Sequence, residues 1–350
     1  MNRMTLPLSI NKGVCQTTMG WLRIILCVVL VLTMVSLAAC SSSTNGLEQV
    51  RVAEVTRSIF YAPLYVAVTK GFFEEQGLEV EITTAWGGDK TMTTLISDGA
   101  DIALVGSETS IYVYQQGTDD PIINFAQLTQ TDGTFLVARE EHDSFSWDQL
   151  NDSVFLGQRV GGMPQMVGEY VLKQHGIDPQ ADLELIQNID FSNIPNAFAS
   201  GTGEYVQLFE PQATLFEKEG IGHIVASFGA ESGQIPYTVF MSKQSYINDN
   251  ADTIQRFTNA IYKAQQYVYA TPTEEIAEAI LPFFEDTDLD IVISVINRYA
   301  EQESYAPTPI LQEESWLLLQ EIIDQAGELE QIVEYDTLVE TRFAEQAINQ

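Results

Sequence analysis

Between Ser58 and Gly106 apolar helical and strand segments alternate so regularly, with a special residue at every junction, that the chain is committed to a parallel sheet with helices laid on it. Ala62 to Lys70 is apolar on one helical face, Gly71 supplies a left-handed stop, and Phe72, Phe73 and Leu78 bury the turn that follows. Gly77 releases the chain into a strand from Leu78 to Thr83, where Leu78, Val80 and Ile82 alternate with Glu79, Glu81 and Thr83. Trp86-Gly87-Gly88-Asp89 opens the next helix, and glycines there let bare N–H groups approach a ligand. Asp101 to Gly106 is a short apolar strand, followed by a cap-like start at Ser107-Glu108-Thr109. Ligands bind such sheets at the carboxyl ends of their strands, where both glycine breaks lie.

The ordered pieces Tyr61-Ala62-Pro63-Leu64-Tyr65-Val66-Ala67, Lys70-Gly71-Phe72-Phe73, Gly77-Leu78-Glu79-Val80, Gly87-Gly88 and Ser97-Asp98-Gly99-Ala100-Asp101-Ile102-Ala103 carry a family likeness. So do Asp132 to Arg139, Glu210-Pro211 and Ile235 to Phe240. Together they resemble the substrate-binding proteins of ABC importers in the nitrate/sulfonate/taurine and thiamine-pyrimidine-precursor group, over most of the chain after Leu47. The resemblance implies an α/β, two-lobed periplasmic-binding-protein-like fold (type II), with mixed sheets flanked by helices and a ligand cleft between the lobes. It also implies a small-molecule solute, a membrane permease and its ATPase as partners.

The leader points the same way independently. Arg3, Lys12 and Arg23 precede an apolar run from Ile24 to Val35 that ends in Leu37-Ala38-Ala39-Cys40. The run is short for a membrane span, which needs about 20 apolar residues. Leu-Ala-Ala-Cys looks like a bacterial lipobox, which implies a signal peptide over 1–39, lipidation (palmitate) at Cys40 and a tether over 40–48 rich in serine. The expected location is the extracytoplasmic face of the cell membrane, with the lipid as anchor.

Cys15, Cys27 and Cys40 are the three cysteines, so the chain beyond Cys40 holds no disulfide and no thiol nucleophile. His142, His175 and His223 have no metal-ligand spacing and read as solvated structural residues. No Gly-x-Ser-x-Gly elbow or phosphate-cradling glycine loop occurs, so no catalytic residue, cofactor or metal is expected. Beyond Cys40 the chain carries 13 basic and 49 acidic residues, a net charge of −36. Such a surface repels nucleic acid and anionic lipid.

About 310 residues remain after the leader, enough for two lobes rather than one core. We place the first lobe over 49–135, the second over 136–233, and the completion of the first lobe with C-terminal helices over 234–350, in a monomer. The expected crossings lie near Gly133 to Glu140 and Gly233 to Met241. Within the second lobe we read a strand from Arg159 to Gly161, a helix from Gln165 to Gln174, and strands Leu183 to Gln187 and Tyr205 to Glu210. The family's usual Gly-x-Val-Asp-Ala appears as Gly203-Glu204-Tyr205-Val206-Gln207, which leaves the register there open.

Candidate ligand contacts come from strand ends and loops. Tyr61, Trp86 and Tyr237 supply aromatic walls or simple core packing. Gly88, Asp89, Ser107, Glu108 and Thr109 sit at helix starts, where Asp89 and Ser107 also read as caps. Gln130 and Asp132 lie beside the first crossing, Met163 on the second lobe's glycine turn, and Phe191 with Asn193 on the loop across the cleft. Glu210, before Pro211 at a strand end, reads as a carboxylate for an amine or aminopyrimidine, or as a surface acid. Trp86 stacking with Glu210 pairing favours a planar nitrogen heterocycle of the thiamine-precursor type over sulfonate, taurine or nitrate. The remaining alternatives are a sensory lipoprotein and an enzyme like the yeast pyrimidine synthases, whose cysteine-rich motif this chain lacks.

Overall fold

A computed structural model describes residues 46–350, of which Leu47–Gln350 form one compact unit. The leader, the lipobox and the expected Cys40 anchor lie outside the described residues.

Strand β1 (Glu48–Glu54) buries Val50 and Val52 and runs parallel to β2 (Leu78–Thr84) on one side and β3 (Ile102–Gly106) on the other. The polar–apolar alternation of β2 fits its place at the sheet edge, and the unbroken apolar run of β3 fits its place at the centre. With β4 (Ile122–Thr129) the chain then leaves this sheet. Next come β5 (Thr134–Ala138), β6 (Val154–Leu156), β7 (Glu184–Ile186), β8 (Tyr205–Phe209) and β9 (His223–Ser227), which form a second sheet in the order β7-β6-β8-β5-β9. Finally β10 (Thr238–Lys243) returns and inserts antiparallel between β3 and β4, giving β2-β1-β3-β10-β4.

Two short passages, Gln130–Gly133 and Gly233–Tyr237, therefore join the sheets, and the strand expected as the first connection is itself a member of the second sheet. Phe60 packs between them, with ring centroids 5.6 Å from Tyr237, 4.9 Å from Tyr299 and 6.4 Å from Phe209. Gly133 leaves these rings room, because a Cβ would sit 3.0 Å from Phe60 and 3.1 Å from Phe209 and the rings would have to give by a few tenths of an ångström.

One expectation is corrected. The strand read at Arg159 to Gly161 lies at Val154–Leu156, where the apolar run pairs in parallel with β7 and β8. Gly161, at φ +93, belongs to the turn into the helix Met163–Gln174. The C-terminal helices include Ala251–Ala270, Leu289–Glu301 and Glu313–Gln325, and the second of these reaches the first passage and the second lobe. Tyr299 on Leu289–Glu301 donates its hydroxyl to the Gly133 carbonyl at 3.0 Å, and Arg298 reaches Glu210 after β8.

Candidate ligand-binding cleft

The carboxyl ends of β1 and β3 face the second sheet across a cleft with two connected parts that share Thr56, Gln158, Phe191 and Phe209. The inner recess, about 100 Å³, is closed by Tyr61, Gly88, Gly106 and Glu108 of the first lobe. Gln158, Arg159 and Met163 enter it from the second lobe, and Tyr237 from the return passage. The outer chamber, about 530 Å³, is walled by Trp86, Phe283 and Phe284 and holds Arg57, Glu210, Glu285 and Asp286.

Electrostatics concentrate in the recess. Glu108 is only 4% exposed and its Oε2 has no hydrogen-bond partner, as is true of Gln158 Oε1 and the Tyr237 hydroxyl. Burial pushes the Glu108 carboxyl up to about 8, against the pull of the Glu108 and Met163 amides. Tyr237 is raised well above its ordinary value by burial and by the nearby Asp132 carboxyl. Each buried acceptor left unpaired costs about 1–3 kcal/mol. A ligand that brings N–H groups to Glu108 and Gln158 recovers that free energy. Two helix starts, at Gly88 and Met163, also open on the recess, and Arg159 lines it while pairing with Asp89 at 3.2 Å.

The structure places Tyr61, Gly88, Glu108, Met163, Phe191 and Tyr237 in the recess, and Trp86, Phe191 and Glu210 in the outer chamber. Trp86 is 53% exposed at φ +60, a left-handed conformation held between Ala85 and Gly87. Asp89 sits at the mouth and caps nothing, since its carboxylate is turned to Arg159. Ser107 does not cap either. Its hydroxyl donates to the Pro236 carbonyl, while Thr109 donates to the Gly106 carbonyl at 2.7 Å. Neither residue lines the cleft.

Four more expected contacts are built into the frame or lie outside the cleft. Gln130 donates to the Glu303 carbonyl and lines a separate hollow with Glu303 and Pro307. Asp132 is buried at the first passage, accepting from the Thr134 amide and hydroxyl, and burial pushes it up to about 6. Asn193 ends a short turn and lines neither part of the cleft. Glu210 accepts from the Thr214 amide at 2.9 Å and hydroxyl at 2.8 Å, and Arg298 lies 3.3 Å away, so its oxygens are already engaged. Burial raises its pKa, while Arg298 and Thr214 oppose the shift.

Sequence reasoning missed Gln158, Arg159 and Phe209. The first two follow the true end of β6, a strand-end position hidden by the misplaced strand. Phe209 ends β8 and meets Phe191 at 5.7 Å, a partnership that crosses from one loop to another strand.

Two lobes on mixed sheets, joined by paired passages with a polar recess between them, define the class of periplasmic-binding-protein folds. The chain belongs to the NMT1-like family, whose model matches residues 46–281. It is 62% identical over 331 residues, 94% of this chain and 99% of the other, to YtlA of Bacillus subtilis, a protein named for binding without a stated ligand. A formylaminopyrimidine-binding protein of Halalkalibacterium halodurans is 23% identical over 258 residues, covering 71% of this chain and 76% of the other. Among solved structures, the alkanesulfonate-binding protein SsuA of Xanthomonas axonopodis pv. citri superposes with a TM-score of 0.67 at 13% identity, over 84% of this chain and 98% of that one.

Proposed function

We propose that this protein is the extracytoplasmic solute-binding lipoprotein of an ABC importer. It captures a small nitrogen heterocycle of the thiamine-precursor pyrimidine type and delivers it to a membrane permease driven by a cytoplasmic ATPase. The single observation that carries the ligand class is the pair of unpartnered buried acceptors, Glu108 Oε2 and Gln158 Oε1, in a recess walled by Tyr61, Phe191, Phe209 and Tyr237. Aromatic walls favour a planar ring, with a paired geometry worth about 0.5–1.5 kcal/mol beyond area, and the acceptors require N–H donors. The formylaminopyrimidine-binding relative supports the same class. Transport needs no chemical step: the ligand is held between the lobes, and specificity comes from which polar groups it satisfies. The lipid anchor at Cys40 is part of this reading, and replacing Cys40 by alanine is expected to abolish membrane retention and labelling by a palmitate analogue.

A second reading, an anionic sulfonate or nitrate, is favoured by Arg159 and the two helix starts at the recess. A thermal-shift screen of the protein lacking its first 40 residues separates the two. The panel is formylaminopyrimidine, hydroxymethylpyrimidine, thiamine, riboflavin, taurine, alkanesulfonates and nitrate. Binding to the folded state adds about 2.7 kcal/mol at a hundred times Kd. A shift with a pyrimidine supports the heterocycle, and a shift only with sulfonates or nitrate contradicts it.

A further inference from the structure

Glu108 is held in an unusual way for a group in a cleft. It opens the eight-residue helix Glu108–Gln115, and its carboxyl lies over Gly106, where any Cβ would overlap both carboxyl oxygens. The bare Cα at 106 therefore forms a seat for the acid. Tyr61 faces it from the turn before the first helix, Tyr237 from the return passage, and Tyr112 from the next turn of its own helix. Across the recess stand the Met163 amide and Arg159, the latter already matched by Asp89. Glu108 thus has neutral phenols and an amide around it, and no basic side chain pairs with it among the described residues. On the opposite lobe Gln158 presents a second unpartnered acceptor, its own amide nitrogen being spent on the Gln207 carbonyl at 2.6 Å.

We infer that Glu108 is the specificity-determining group of the recess, and that its carboxyl shares one proton with a basic ring nitrogen of a ligand carrying an amidine-type edge. This inference rests on the heterocycle reading above. The carboxyl donates O–H to the ring nitrogen, and its other oxygen accepts an N–H of the adjacent exocyclic amine. Transfer of the proton to the ring gives an amidinium–carboxylate pair with the same atoms and charge overall. Gln158 Oε1 is placed to take a remaining N–H from the other lobe. Sulfonate and nitrate bring no proton to this contact and are repelled once the carboxyl ionises.

Because burial keeps the empty site protonated until about pH 8, a complex with one shared proton is favoured between the ring nitrogen's own pKa and that value. Above it, each pH unit should weaken binding about tenfold, the signature of one linked proton.

The test is calorimetric titration of 4-amino-5-hydroxymethyl-2-methylpyrimidine, and separately of 2-aminopyridine and acetamidine, from pH 6.5 to about 9.5. Wild type, Glu108→Gln and Gly106→Ala are compared, with circular dichroism as the check on folding. Expected are wild-type affinities for the pyrimidine and 2-aminopyridine that fall only above about pH 8, at least about tenfold weaker binding by Glu108→Gln at neutral pH with no alkaline limb, and for acetamidine, which is already protonated over this range, an affinity that rises toward about pH 8 and then levels. Gly106→Ala, which keeps the carboxyl but displaces it, should lose the limb as well, and if it fails to fold Glu108→Gln decides alone. Pyrimidine binding that is flat with pH, or unchanged in Glu108→Gln, overturns the inference and leaves the heterocycle reading standing. If neither the pyrimidine nor 2-aminopyridine binds while acetamidine binds wild type and not Glu108→Gln, the heterocycle reading fails and the role of the Glu108 carboxyl stands. If none of the three binds at any pH, the inference falls.

Discussion

Glu108 and Glu210 are both buried acids lining the cleft, but only Glu210 has both oxygens engaged. Glu210 stands at the strand end where a ligand-facing acid is expected, yet Thr214 and Arg298 occupy its oxygens. Glu210→Gln should cost about 1–3 kcal/mol in chemical denaturation, because it removes the buried charge that Thr214 and Arg298 are arranged around, although Arg298 keeps Glu217 at 3.2 Å. Ligand affinity should change less than about threefold, well under 1 kcal/mol. Glu108 behaves in the opposite way. Its folded pKa lies above the ordinary carboxylate value, so the fold binds the proton more tightly than the unfolded chain does. The stability this gives is complete below the ordinary value of 4.5 and is lost as pH rises through about 8. Denaturation midpoints followed from pH 5 to about 8 should therefore fall for wild type relative to Glu108→Gln, by up to about 1.4 kcal/mol per pH unit. Parallel curves would contradict the assigned shift.

At the scale of elements, local pattern was legible and distant partnership was not. The alternation in Leu78–Thr84, the stop at Gly71 and the apolar run of Ile102–Gly106 each contain their own reason for being where they are, and they place Gly88 and Glu108 at the cleft. Asp89 and Ser107 were legible as residues at helix starts but not as partners of Arg159 and Pro236, which arrive from 70 and 129 residues away. Arg298 beside Glu210 is the same case. Gln158 was hidden by a three-residue strand, too short for periodicity to fix its position. The passages between sheets make an element-scale prediction through Gly133, whose missing Cβ admits Phe60 and Phe209. Gly133→Ala must push apart two rings that carry the junction, and should cost about 1–3 kcal/mol, measured by urea unfolding. An unchanged midpoint would mean that this junction is loosely packed.

For the whole molecule, the cleft is spanned by few direct contacts. The Asp89–Arg159 pair joins the lobes at the mouth, and the Tyr112 hydroxyl donates to Met166 Sδ at 3.3 Å deeper in. The ion pair is about half exposed at both ends, so it contributes only about 0–1 kcal/mol. Arg159→Ala should therefore weaken a heterocyclic ligand no more than about fivefold, with the difference shrinking as salt is raised in equilibrium titrations. Saturable wild-type binding of an alkanesulfonate or nitrate that drops a hundredfold or more in Arg159→Ala would instead make Arg159 a direct anion ligand and favour the sulfonate or nitrate reading. A net charge of −36 beyond Cys40 agrees with the first outcome, since it gives an anionic solute no long-range attraction.

The most direct measurement is isothermal titration of the protein lacking its first 40 residues with formylaminopyrimidine and, in parallel, with taurine and nitrate at pH 7. Saturable binding of the pyrimidine is expected, weakened about tenfold or more in Glu108→Gln, with no measurable heat from either of the other two. Saturable binding of taurine or nitrate with none of the pyrimidine would contradict the heterocycle reading.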